Sequence, residues 1–171
     1  FSSVISAYDT TTYLVRATGQ INQSHPKSLR VSPDGSVLYM GGAHFIDTLN
    51  AFRTDTLQPI FSVPTESVFG QSIAISFDGR YVYSVGGNGG MAILDGVSGQ
   101  LVNQVGACVG SDGVSLSPDN RFVYVMCPFS YSIEVFDAHT LAPLGSLSGY
   151  FTPNWSMDFI GTPPGDILVS N

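Results

Sequence analysis

A chain of 171 residues, 43% of them apolar and only 11% charged, has the material for a buried core and does not have the composition of a disordered segment. Six basic residues against 13 acidic ones, a formal charge of −7, argue against a nucleic-acid groove or an anionic membrane surface and favour cationic or neutral partners. No run of 18 apolar residues is present to cross a bilayer, and 19 glycines with 10 prolines suit many short strands joined by tight turns.

The chain begins at Phe1 with no charged and then apolar leader behind it, so any targeting peptide is expected to have been removed or never included. Asn22-Gln23-Ser24 and Asn154-Trp155-Ser156 match the acceptor pattern for N-glycosylation, which makes Asn22 and Asn154 candidate sites. With a single lysine and turns rich in Ser, Thr and Gly, these triplets predict an exported protein: extracellular, periplasmic or at the cell surface.

Taken in order, Val4–Ala17 reads as two β-rich runs flanking Asp9-Thr-Thr-Thr12, a hairpin whose polar side chains can bond the local backbone. Val31–Gly42 follows, with Ser32-Pro-Asp-Gly35 as its turn, and this stretch returns at 75–87, at 116–127 and, worn, at 160–171. The first hairpin also returns, at 49–61, 91–102 and 133–144. Tyr8, Phe52, Leu94 and Phe136 stand 44, 42 and 42 residues apart.

Two interleaved hairpins sharing a period of 41 to 44 residues make a four-stranded unit of β-propeller-blade length, and alternation such as Arg80-Tyr-Val-Tyr-Ser-Val85 rules out the helical solenoids of similar period. A blade cannot cover both of its faces alone, so neighbours must stack around an axis. The fold class predicted is all-β: a propeller with strands in the order CD-ABCD-ABCD-ABCD-AB, A innermost. The expected segments are a half-blade at 4–17, blades at about 27–63, 71–105 and 112–147, and a half-blade at 155–171, forming one propeller domain or a segment of one.

Ser32-Pro-Asp-Gly35 followed by Val37-Leu-Tyr39, and Phe136-Asp-Ala-His-Thr-Leu141, resemble the YVTN-type repeats of lactonase-like β-propellers over essentially the whole chain. The copies end Tyr39-Met-Gly-Gly, Tyr83-Ser-Val-Gly and Tyr124-Val-Met-Cys instead of Tyr-Val-Thr-Asn. The resemblance implies a fold far more than an activity, since such repeats occur in lactonase-like enzymes, in redox-protein propellers and in surface proteins. The two half-blades are complementary, leaving three arrangements open: closure into a four-blade ring, a segment of a longer propeller, or two copies forming a larger ring.

Counting from the Pro118-Asp119 turn, Cys127 falls within about a diagonal step of Cys108, so the pair is either a disulfide or two buried free thiols. Without a neighbouring histidine the two cysteines do not make a zinc set.

Propeller sites gather at the mouth of the axial channel, where D-to-A and B-to-C connections converge. Aligning the inner strands on Leu29, Ile73, Val114 and Met157 brings Lys27, Gln71, Asp112 and Trp155 to that mouth, with His25 just before and His44, Asp47 and Asn88 from the B-to-C loops. Phe129 and Tyr131 add aromatic surface, so this mixed rim suits a sugar, a peptide or a neighbouring protein. Asp34, Asp78 and Asp119 belong to turns on the opposite face and read as turn formers.

No nucleophile elbow, phosphate loop, zinc-protease helix or haem-attachment motif occurs. The expectation is a non-catalytic interaction or assembly module without catalytic residues, cofactor or metal, binding a protein partner or itself through the loop face or the open half-blades, with neither nucleic-acid binding nor membrane insertion. The alternative is a segment of a lactonase-like hydrolase or redox-protein propeller whose site is completed outside this chain.

Overall fold

The computed structural model describes residues 3–21, 26–42, 48–64 and 72–149, with the backbone of two further strands at 157–160 and 166–169. Three four-stranded antiparallel sheets run in chain order: β3 (Pro26–Val31), β4 (Val37–Gly42), β5 (Thr48–Arg53) and β6 (Pro59–Pro64) form the first. The second holds β7 (Ser72–Ile75), β8 (Tyr81–Gly86), β9 (Gly90–Asp95) and β10 (Leu101–Gly106). The third holds β11 (Gly113–Leu116), β12 (Phe122–Cys127), β13 (Ser132–Asp137) and β14 (Pro143–Ser148). Hairpins β1 (Ser3–Tyr8) with β2 (Val15–Ile21), and β15 (Met157–Ile160) with β16 (Asp166–Val169), are two-stranded. The only helical piece among the described residues is a 3-10 turn at Pro128–Ser130.

Two turn chemistries recur among the described blades. In the A-to-B turns the Ser32, Ser76 and Ser117 hydroxyls donate to Asp34, Asp78 and Asp119 at 2.5 to 2.6 Å. The same hydroxyls accept the N–H of Val37, Tyr81 and Phe122. Gly35, Gly79 and Asn120 take the left-handed conformation that closes the turn (φ 76°, 70° and 58°), which a glycine or asparagine adopts at low cost. In the C-to-D turns Asp9, Asp95 and Asp137 each accept two backbone N–H groups and one hydroxyl, from Thr11 and Thr12, Val97 and Ser98, and His139 and Thr140. In the first blade Arg53 stands in the aspartate's place and pairs instead with Asp55 at 3.2 Å.

The core lies between blades. One cluster joins blades two and three through Val85, Met91, Ile93, Val123, Val125 and Phe136; a second joins blades one and two through Leu49, Ala51, Ile73, Val82 and Leu94. Buried tyrosines clasp blade one to blade two and blade two to blade three: Tyr39 Oη donates to the Gly96 carbonyl at 2.8 Å and Tyr83 Oη to the Ala138 carbonyl at 2.9 Å. The inner strands are tied by serines, with Ile73 N–H bonding Ser28 Oγ and Val114 N–H bonding Ser72 Oγ, so one backbone donor on each of β7 and β11 is met across the blade boundary.

The strand order is the one expected, but the four-blade closure is not formed: β1–β2 and β15–β16 remain separate sheets. Each hairpin satisfies its own internal ladder while keeping the edge that would pair with the other open. The first flank shows the same incompleteness. Leu29 is 48% exposed where its register counterpart Ile73 is fully buried, because β1–β2 brings no inner strands to cover it.

Candidate functional site at the channel mouth

Antiparallel strands put the B-to-C and D-to-A connections on one face. Between blades two and three this face is knitted by backbone: Ala107 N–H bonds the Gly89 carbonyl at 2.8 Å and Gly110 N–H the Gly87 carbonyl at 3.0 Å. The fully buried Ser111 hydroxyl bonds the Gly86 carbonyl at 2.7 Å. The D-to-A strand of chain is thereby pinned across the neighbouring B-to-C turn.

A disulfide adds the covalent tie. Cys108, before β11, is joined to Cys127, at the end of β12, with a Cα–Cα distance of 5.7 Å. The chain then turns through Pro128–Ser130, and Tyr131 enters β13 from the left-handed region at φ 49°. That conformation is unfavourable for a bulky residue and holds the Tyr131 side chain out of the sheet, 54% exposed. Phe129, 78% exposed, lies over Gly110, where a Cβ would fall 2.4 Å from its ring. Val109 is also exposed. The mouth of the third blade therefore carries an apolar, aromatic surface on rigid supports, with the exposed Asn88 and Asp112 on the same face.

Glu134 completes this corner. Its carboxylate accepts the Cys108 N–H at 3.2 Å and borders a groove of about 370 Å³ lined also by Gly106, Ala107, Phe136 and Pro143. Its only signal in the sequence is a departure from the repeat: the residues in the same register are Asn50 in blade one and Ala92 in blade two. A lone carboxylate at a repeat position otherwise neutral does not serve the frame.

Of the other predicted rim residues, Lys27 is exposed at the start of β3, while His25, His44, Asp47, Gln71 and Trp155 lie outside the described residues, as do Asn22 and Asn154. The opposite face holds the turn aspartates. The Ser32 hydroxyl first, then the Ser36 N–H, hold the Asp34 carboxyl down at about 2; Asp78 and Asp119 are lowered by Ser76 and Ser117 in the same way. With their oxygens engaged and their proton affinity reduced, these groups are turn acceptors and poor general bases.

Along the axis the inner strands border a trough of about 500 Å³, lined by Arg30, Val31, Ala74, Ile75, Val114, Ser115 and Leu116 with Pro33 and Phe77 at its turn end. Its described lining is mostly aliphatic and contains no acid–base pair.

The family model described as "Cytochrome D1 heme domain" matches residues 33–153. No curated protein matches the chain. Among solved structures the hydrazine synthase of Kuenenia stuttgartiensis is similar at 18% identity and a TM-score of 0.69, covering 87% of this chain and 46% of that one. The WD40 repeats of RRP9 give 17% identity, a TM-score of 0.71 and coverages of 87% and 52%. U3-55K gives 16%, 0.69, 87% and 52%. At such identities these similarities speak for the fold, and the chain spans about half the length of the structures it matches.

Proposed function

The chain belongs to the cytochrome D1 heme domain family, and from that premise we propose that it is a non-catalytic propeller module, exported or surface-exposed, that binds a protein partner through its channel-mouth face. The observation that carries this reading is the exposed Phe129–Tyr131 surface, held by a disulfide, a left-handed turn and the Gly110 contact. Rigid, exposed aromatic area at low entropy cost is what association uses. A charge of −7 selects for a cationic or neutral partner, and the WD40 likeness accords with a role in assembly. The test compares immobilised wild-type chain with F129S/Y131S in retaining a protein from the source's own extract. Retention by the wild type and its loss in the folded variant are expected; equal retention would overturn the reading.

The family match favours a second reading, a piece of a redox-protein propeller completed by other blades, and the lactonase-like repeat resemblance leaves a hydrolase segment beside it. A heme iron is held axially by imidazole, thiolate, thioether or phenolate. The described lining of the axial trough offers none of these, so the trough itself does not fit a heme and no step is drawn through one. Adding hemin to the chain and recording its Soret band tests this. A sharp, saturable band would favour the redox reading.

A further inference from the structure

We propose that, once its disulfide is reduced, the mouth of the third blade binds a thiophilic divalent cation between the Cys108 and Cys127 thiolates and the Glu134 carboxylate. One ligand atom from each of the three residues lies within 4.8 Å of the other two. Two thiolates and a carboxylate are a donor set suited to Zn²⁺, whose bonds to sulfur and oxygen run at about 2.3 and 2.1 Å. All three side chains sit on supports already fixed. Cys127 closes β12, Glu134 lies within β13, paired in register with Val125, and Cys108 is anchored by its N–H on that carboxylate.

The propeller frame explains neither Cys127 nor Glu134. At the end of the B strand, blades one and two carry Gly42 and Gly86 where blade three has Cys127, and Glu134 replaces Asn50 and Ala92. Departures from a repeat that converge on one spot are additions to the frame. The spot is also reachable: Cys108 is half-buried, and the 370 Å³ groove opens onto Glu134, while the fully buried Cys127 keeps the far side dry. Three protein ligands leave a fourth, open position for water or a partner's side chain.

The chemistry balances with a dithiol reductant. One of its thiolates attacks a sulfur of the Cys108–Cys127 bond, its second thiolate resolves the mixed disulfide, and the reductant leaves as its own disulfide. The two electrons and two protons transferred leave two cysteine thiols. Zn²⁺ then displaces both thiol protons to solvent as the two zinc–sulfur bonds form, and the ionised Glu134 adds the oxygen ligand. The oxidised chain has no thiolate to offer, so binding is gated by redox state.

The test uses the whole chain, oxidised or reduced with a phosphine, desalted without oxygen, and titrated with Zn²⁺ and Co²⁺. Reduced wild type is expected to retain one Zn²⁺ per chain through gel filtration and to show thiolate-to-Co²⁺ charge transfer, while oxidised wild type and C108S/C127S retain none. Glu134→Gln is expected to keep the charge-transfer band with affinity weakened by more than roughly 100-fold, beyond the roughly 10–100-fold range of an outer-shell loss. If reduction unfolds the chain, Zn²⁺ is expected to restore its β-sheet circular dichroism. The proposal is overturned if reduced wild type retains no metal or is not refolded by it, if C108S/C127S binds equally, or if Glu134→Gln binds as tightly as wild type.

Discussion

Replacing Tyr83 by phenylalanine removes one oxygen from a buried clasp between blades two and three. The hydroxyl donates to the carbonyl of Ala138, a residue with no exposed surface, so the carbonyl loses its cross-blade partner in a place water does not reach. Leaving a buried acceptor unmet costs about 1–3 kcal/mol, while the ring and its packing in the core are retained. For a chain of this size that corresponds to a Tm lowered by about 3–8 °C. The alkaline limb gives an independent readout. Burial pushes the Tyr83 phenol up to about 12 from an ordinary 10.0, so above pH 10 the unfolded chain sheds this proton first. The tyrosine's share of stability is complete below pH 10 and is lost as pH rises towards 12, a slope that Tyr83→Phe should flatten. Thermal melts by circular dichroism from pH 7 to 11.5 measure both, with Tyr131→Phe as the exposed control. An unchanged Tm at pH 7 together with an unchanged alkaline slope would refute the clasp.

Three further predictions concern a buried serine, a crowded glycine and the turn aspartates. Ser84 is fully buried with its hydroxyl unbonded, at a register position held by Met40 and Val125 in the other blades, so Ser84→Ala should leave stability unchanged or raise it by about 1 kcal/mol in urea unfolding. A Cβ at Gly96 would lie 2.4 Å from the Gly79 carbonyl oxygen, so Gly96→Ala should cost about 1–3 kcal/mol in the same assay, although Ala138 is accommodated at the matching turn of blade three. Asp34, Asp78 and Asp119 have carboxyls lowered from 3.8 by their turn serines, so their contribution is present above pH 4 and is lost as pH falls through the lowered folded-state values, about 2 for Asp34. Acid titration of Tm should therefore be shallower in Ser32→Ala, Ser76→Ala and Ser117→Ala combined than in wild type.

The strand order was legible because each turn carries its own chemistry in consecutive residues. Ser-x-Asp and Asp-x-x-Ser/Thr can be read as hydrogen-bonded loops, and the alternating runs between them can only be strands. Arg53 shows how the second pattern can be broken and still turn, with Leu57 taking the left-handed position and burying its side chain as Leu141 does. Closure was not legible, since a period places a residue within its blade and says nothing of the arc between the first and last blades. The site was harder still. Phe129 and Tyr131 were visible as rim aromatics, but Glu134 meets the cysteines only because two connections and a neighbouring strand converge, which no linear spacing records. His25, His44, Asp47, Gln71 and Trp155 fall outside the described residues.

The central claim is that recognition occurs at the channel mouth and not at the turn face, and paired surface variants in one retention assay test it most directly. F129S/Y131S alters the mouth, while F77S/V97S alters exposed apolar residues among the turns. With both variants folded, partner retention is predicted to be lost in the first and kept in the second; retention kept by the first and lost by the second would contradict the account.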